Sequence, residues 1–263
     1  MELLGEFGIT ASSARGALGR LARRGLLTLH RTGRTTCYGL SEQAANIVHS
    51  GSRRIFAFGS DSGAWDGHWR IVVFSVPEQD RSTRAAIRTR LRWIGMAPLY
   101  DGVWVTPLDA TDDINQVFAD LDVDMMTLVN APDQPFGRRH PLAAWDLAAI
   151  RECYERYLEV TGALAERLEQ GRIGSAEALV ARTRTMDAWR ELPNVDPGLP
   201  LSLLPPDWPR TQARKLFETV YDGLGPLAEI RVRQVVGHFA PDISGLARHV
   251  RTSDFKSQAP RGT

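Results

Sequence analysis

The chain has 263 residues, 43% of them hydrophobic, which is enough for two or three small domains with cores of their own. Its formal net charge of +1 excludes an argument for a polyanionic partner from global charge. Cys37 and Cys153, the two cysteines, are too far apart to suggest a disulfide framework or a zinc site, and they fit a reducing cytoplasm. No apolar run reaches the roughly 18 residues that a membrane span needs, so no membrane partner is expected.

The distribution of charge says more. Residues 1–54 carry eight arginines against three glutamates, whereas residues 112–124 carry five aspartates and no Lys or Arg. A basic first segment on a nearly neutral chain points to one face for a polyanion. Residues 10–25, "TASSARGALGRLARRG", have helical spacing, with Ala14, Leu18 and Leu21 on one side. Thr10 or Ser12 can cap the start and Gly25 can end it. "LLTLH RTGR TTCYGL" then reads as strand, tight turn and strand. A helix followed by a hairpin with a basic tip is the second half of a winged helix. Ser12, Gly16, Gly19 and Arg23 point away from the core side, with Arg20 beside them. Small residues let a helix enter a major groove, and arginines reach phosphates or guanine edges. The candidate DNA contacts are Ser12, Arg15, Gly16, Arg20 and Arg23 on the helix and Arg31 and Arg34 at the hairpin tip. Only nine residues precede Thr10, so the first helix of a winged helix has no counterpart. The expectation is a start lying upstream or a truncated copy.

The polar, Gly/Ser-rich stretch ending "SGSRRIFAFGSDSGAWDG" is expected to be a linker. Residues 69–131 alternate strand and helix. "WRIVVFSV" is a strand, and "QDRSTRAAIRTRLRWIG" a helix with Ile87, Leu91 and Ile94 inward. "APLYDGVWVTP" is a hairpin turning at Asp101-Gly102, "ATDDINQVFADL" a helix and "DMMTLVNA" a strand. The order β-α-β-β-α-β is that of a ferredoxin-like domain. Arg81, Arg84, Arg88 and Arg92 form a stripe that could hold phosphates; the plainer reading is a solvated face, or ion pairs with the acidic 112–124 segment of a second copy. Trp65, Trp69, Trp93 and Trp104 are expected in core or dimer packing. Residues 141–190 read as helical, "LPNVDPGLPLSLLPPDWP" is too proline-rich for one helix, and "TQARKLFETVYDGLGPLAEI" is a further helix. The last fifteen or so residues read as disordered.

Three blocks together resemble the PaaX family, repressors of bacterial phenylacetate-degradation operons. They are "SSARGALGRLARRGLL…RTGRTTCYGLS", "WDGHWRIVVFSVPEQDRSTRAAIRTRLRWIGMAPLYDGVWVTP" and "DPGLPLSLLPPDWPRTQARKLF". The likeness covers roughly residues 3–228. It implies an N-terminal winged helix on operator DNA, a middle domain like the small CRISPR-associated endonuclease, and a helical C-terminal domain. It also implies phenylacetyl-coenzyme A as the effector that releases the DNA. Nuclease relatives keep a metal-binding Asp at the end of the first strand, and family regulators often read "FDIPE" there. This chain reads "FSVPE", and Ser75 is a poor substitute for a carboxylate on a divalent metal.

The expected architecture is therefore α+β and multidomain. An incomplete winged helix spans 1–48, a linker 49–66, a ferredoxin-like domain 67–137, a helical C-terminal domain 138–240 and a disordered tail 241–263. The expected function is a cytoplasmic, ligand-responsive transcriptional regulator, not an enzyme, acting as a homodimer on double-stranded operator DNA. It carries no cofactor and is released by an aryl-coenzyme A thioester. The candidate effector residues are Trp145, Arg151, Tyr154, Arg184, Trp189 and Arg190, since such a ligand needs an apolar slot and cations. The rival readings are a metal-dependent nuclease built on the middle domain and an interaction module that pairs with a full-length relative without binding DNA.

Overall fold

The computed structural model describes residues 2–32, 35–60, 64–121, 126–135 and 137–258. They divide into two compact units: Met1–Ser60 with Arg156–Glu191 and Gln212–Thr263, and Asp61–Glu155 with Leu192–Thr211. This division does not follow the expected boundaries. The helices placed in a separate 138–240 domain pack in part with the first sixty residues.

The first unit opens with a short helix α1 (Glu2–Gly5) and a longer one, α2 (Ala11–Arg23). Strands β1 (Leu27–Thr32) and β2 (Thr35–Leu40) pair antiparallel, Leu27 opposite Leu40. Helix α3 (Glu42–Ala57) follows at once, and the Oγ of Ser41 accepts from the N–H of Ala44. The expected linker is thus overturned over residues 49–57. Its Gly and Ser lower helix propensity, but α3 buries Ala44 and Phe56, and such packing outweighs a glycine penalty of about 1 kcal/mol.

In the second unit, β3 (His68–Phe74), α4 (Arg81–Trp93), β4 (Ala97–Tyr100), β5 (Val103–Thr106), α5 (Thr111–Asp120) and β6 (Met126–Pro132) follow the expected β-α-β-β-α-β order. The sheet order is β4-β5-β3-β6, with every neighbouring pair antiparallel. One face packs Val72, Phe74 and Trp104 against Ile87 and Leu91 of α4 and Ile114 and Phe118 of α5. The other packs Trp69, Ile71, Leu99 and Val105 against Leu142, Trp145 and Leu203. Trp69 and Trp104 are core residues as expected, whereas Trp93 is 72% exposed and serves no core. The β4–β5 turn needs Gly102: its φ is 76°, and a Cβ there would stand 3.0 Å from the carbonyl oxygen of Phe74.

Helices α6 (Leu147–Glu169), α7 (Ser175–Val195) and α8 (Arg210–Phe239) run through the rest of the chain, followed by the short α9 (Pro241–Ser244). The proline-rich stretch is not one helix, although α7 continues through Pro193 before it ends. In the first unit these helices close over a chain of rings. Trp189 stacks on Phe217 at 4.6 Å, and Phe217 lies 5.3 Å from Tyr221. The expected disordered tail is overturned as far as the described residues reach. Phe255 stacks on Phe56 at 4.1 Å, and the hydroxyl and N–H of Thr252 both donate to the Asp222 carboxylate. Buried aromatic area and paired polar groups outweigh the polar composition that suggested disorder.

Candidate nucleic-acid interface

Local chemistry sets the limits of α2. Thr10 is extended, and its Oγ1 accepts from the N–H of Ser13, which caps the helix. At the other end Gly25 takes φ 71°, a left-handed value that turns the chain into β1. Ala14 is 1% exposed and Leu18 and Leu21 are half-buried, so the apolar side expected from the spacing faces inward. Helix α1 and strand β1 pack against α2.

The opposite side is open. Ser12, Arg15, Gly16, Arg20 and Arg23 are all exposed. Among the described residues none of these three arginines pairs with a carboxylate. Of the nearby acids, Glu6 in the turn after α1 is taken up by Arg231 of α8, whose Nε donates to it at 3.1 Å. The helix thus presents small residues and uncommitted guanidiniums to solvent. Arg24 belongs to the same surface, exposed at the C-cap of α2, and was missed by the sequence reading although it continues the same basic run. The backbone of Arg31 lies in β1 opposite Thr36, next to the hairpin end. The side chain of Arg31 and all of Arg34 lie outside the described residues, so the hairpin-tip half of the expected contacts has no structural description.

The six expected effector residues are divided between the two units. Trp145, Arg151 and Tyr154 belong to the second unit, and Arg184, Trp189 and Arg190 to the first. Trp189 is fully buried, stacked on Phe217, and its Nε1 donates to the Ile55 carbonyl at 3.1 Å. Its ring completes a core and leaves no slot for a ligand. Trp145 is likewise part of a core, 6.0 Å from Trp69. Tyr154 is also fully buried, and its hydroxyl donates to Asp196 at 2.6 Å. The Arg210 guanidinium donates to both oxygens of Asp196, each at 2.8 Å, and to the Leu199 carbonyl. Burial pushes the Tyr154 phenol up, far above its ordinary range, and the Asp196 charge pushes it the same way. This buried triad braces the Asp196–Arg210 stretch, so the family-like "DPGLPLSLLPPDWPR" block has a structural use. Arg151 pairs with Asp207 at 3.0 Å and lies over the Trp208 ring. Arg190 is exposed and paired with Asp187 at 3.4 Å. Arg184 lines a cleft of about 260 Å³ between α6 and α7 with Val160, Leu164, Val180 and Ala181.

Ser75 stands exposed immediately after the last residue of β3. In the stripe on α4 the arginines have several uses. Arg84 donates to the Val76 carbonyl at 2.7 Å, and Arg88 pairs with Asp101 at 2.7 Å. Arg92 lies over the Trp104 ring. The neighbouring Arg90 pairs with Asp120 at 3.0 Å, so part of the acidic segment finds its cation within the same chain.

Comparison with known proteins accounts for all three regions. A family model described as PaaX-like protein matches residues 1–44. One for the PaaX protein central Cas2-like domain matches 62–142, and one for the PaaX-like protein C-terminal domain matches 145–233. The transcriptional repressor PaaX of Escherichia coli (strain K12) is 24% identical over 234 residues, covering 86% of this chain and 73% of that protein. Among solved structures, the uncharacterized protein Rv0674 from Mycobacterium tuberculosis is 25% identical, with a TM-score of 0.56 over 85% of each chain. The matched regions follow one another along the chain in the order its three sequence blocks gave, and the chain belongs to the PaaX family.

Proposed function

We propose that this chain is a DNA-binding transcriptional repressor, with α2 as its recognition helix and the β1–β2 hairpin as its wing. The observation that carries the reading is the exposed face of α2, where Arg15, Arg20 and Arg23 stand without carboxylate partners beside Ser12 and Gly16. The kinship with a transcriptional repressor of Escherichia coli supports it. The reading includes a cytoplasmic homodimer, because a two-fold operator calls for two recognition helices one DNA turn, or a multiple of it, apart. The second unit is read as a non-catalytic ferredoxin-like domain. The hydroxyl of Ser75, where nuclease relatives place a carboxylate, is a weak ligand for a divalent metal. Among the described residues no helix is long and apolar enough to cross a membrane.

The effector is read as an aryl-coenzyme A thioester, phenylacetyl-coenzyme A first, and the regulated genes as an aromatic-acid catabolic operon. The α6–α7 cleft supports an effector site in the first unit, with apolar walls for a ring and Arg184 for an anionic group. Tenfold release from DNA requires about 1.4 kcal/mol of coupling, and DNA must weaken effector binding by the same factor.

The test is a salt titration of binding to promoter DNA flanking the gene, with and without phenylacetyl-coenzyme A. The slope of log affinity against log salt for the Arg20→Ala, Arg23→Ala double variant is expected to be shallower by about 2, one for each phosphate left without its arginine. An unchanged slope and affinity would reject α2 as the recognition helix. Binding that the thioester does not relieve would reject the effector and keep the DNA role.

A further inference from the structure

We propose that a cleft beside α4, β4 and β5 in the second unit binds a phosphorylated ligand through Arg88, Arg92 and Arg139. The cleft holds about 260 Å³. Its apolar floor is the ring of Trp104, 1% exposed, with Pro98 of β4 beside it. Arg88 and Arg92 rise from one turn of α4 on one wall, and Tyr100 and Asp101 form the β4–β5 side. Arg139, in the segment after β6, borders the cleft through two of its lining residues, Leu99 and Tyr100. Its Nη1 donates to the Leu99 carbonyl at 3.3 Å, and its guanidinium lies 5.5 Å over the Tyr100 ring.

Charge and geometry both favour an anion here. Two arginines one helical turn apart repel each other unless a counter-charge sits between them. Asp101 supplies one, at 2.7 Å from Arg88, but its own side chain is 89% exposed. The two lining guanidiniums and one carboxylate leave one positive charge over an apolar floor, and Arg139 adds a second at its margin. Arg92 lies 5.4 Å above the Trp104 ring, and a guanidinium laid flat on a ring keeps its N–H edge available. Planar donor forks arriving from α4 and from the segment after β6 suit the several oxygens of a phosphoryl group better than the two of a carboxylate. The volume admits a phosphate or diphosphate with a small attached group. The site is separate from the α6–α7 cleft assigned to the effector, so either assignment can fail without the other.

Calorimetric titration of the full chain with sodium pyrophosphate at low ionic strength tests the site. One saturable site per chain is expected, weakened about tenfold or more by Arg92→Gln and by Arg139→Gln, as loss of a charge-assisted hydrogen bond implies. Arg81→Gln, at the exposed start of the same helix, should stay within about twofold of the parent. An unchanged thermal melt for Arg92→Gln, an exposed position, separates loss of binding from loss of fold. Absence of saturable binding would overturn the proposal, as would an equal loss in Arg81→Gln, which would mark diffuse attraction. A random-sequence DNA duplex as competitor names the source of the phosphate. Displacement of pyrophosphate would assign backbone phosphates, and undisturbed binding a free phosphorylated molecule.

Discussion

Removing the Asp196 carboxylate should be among the most damaging single changes to the second unit. Asp196 is 1% exposed and Arg210 5%, and the carboxylate accepts two hydrogen bonds from Arg210, one from Tyr154 and one from the N–H of Gly198. In Asp196→Ala the guanidinium keeps only the Leu199 carbonyl, and a buried cation stands without its anion. Breaking one side of such a pair costs about 3–5 kcal/mol. The orphaned Tyr154 hydroxyl adds to this, though not as a separate sum, because all three groups share one network. Tyr154→Phe leaves the ion pair intact and should cost about 1–2 kcal/mol. Urea unfolding followed by circular dichroism and tryptophan fluorescence measures both, with the transition that reports Trp208 (6.3 Å from Tyr154) as the relevant one. A destabilisation below about 1 kcal/mol for Asp196→Ala would refute the reasoning, since it would mean that the guanidinium reaches water once its partner is gone.

Trp189→Ala should destabilise the first unit by about 3–5 kcal/mol, read by the same denaturation; a near-neutral result would restore Trp189 as a ligand-facing residue. Gly102→Ala should cost about 1–3 kcal/mol and lower Tm, because φ 76° is strained for alanine and the new Cβ meets the Phe74 carbonyl. Burial raises the phenols of Tyr154, Tyr157 and Tyr221. A raised phenol value means that the native state holds its proton longer than the unfolded chain. That contribution to stability is complete below the unfolded value near 10 and is lost as pH rises through the native values. Phenolate absorbance from these three tyrosines should therefore appear together with the loss of helical circular dichroism; ionisation well before unfolding would contradict their burial.

Most of the second unit was legible in the sequence, because the apolar run in "WRIVVFSV", an inward Ile87–Leu91 stripe and an Asp101-Gly102 turn all point to one topology. The exposed face of α2 was legible for the same reason: a helix with one apolar side fixes what lies opposite. Residues 49–57 and the last residues were misread because their order comes from distant partners. Phe56 becomes a core residue only when Phe217, Tyr221 and Phe255 arrive from elsewhere in the chain. Composition had no means of registering that. The same holds for the candidate effector residues. Aromatic and cationic residue types suit a ligand, but the same types make the ring stack at Trp189 and the Tyr154–Asp196–Arg210 brace. Arg139 was overlooked because nothing local marks it; only the fold carries it to Tyr100.

The first unit draws on both ends of the chain, and this has a consequence for synthesis. A ribosome releases residues 1–60 long before Phe217, Thr252 and Phe255 exist to cover them. At about 5–20 residues per second the interval is on the order of 10–40 s. During it the whole of the second unit, whose last residue is Thr211, emerges and can close first. The nascent amino-terminal segment would meanwhile hold Phe56 of α3 without its aromatic partners. Pulse proteolysis of stalled nascent chains should find the middle of the polypeptide protected earlier than its beginning, an inversion of the usual amino-to-carboxyl order.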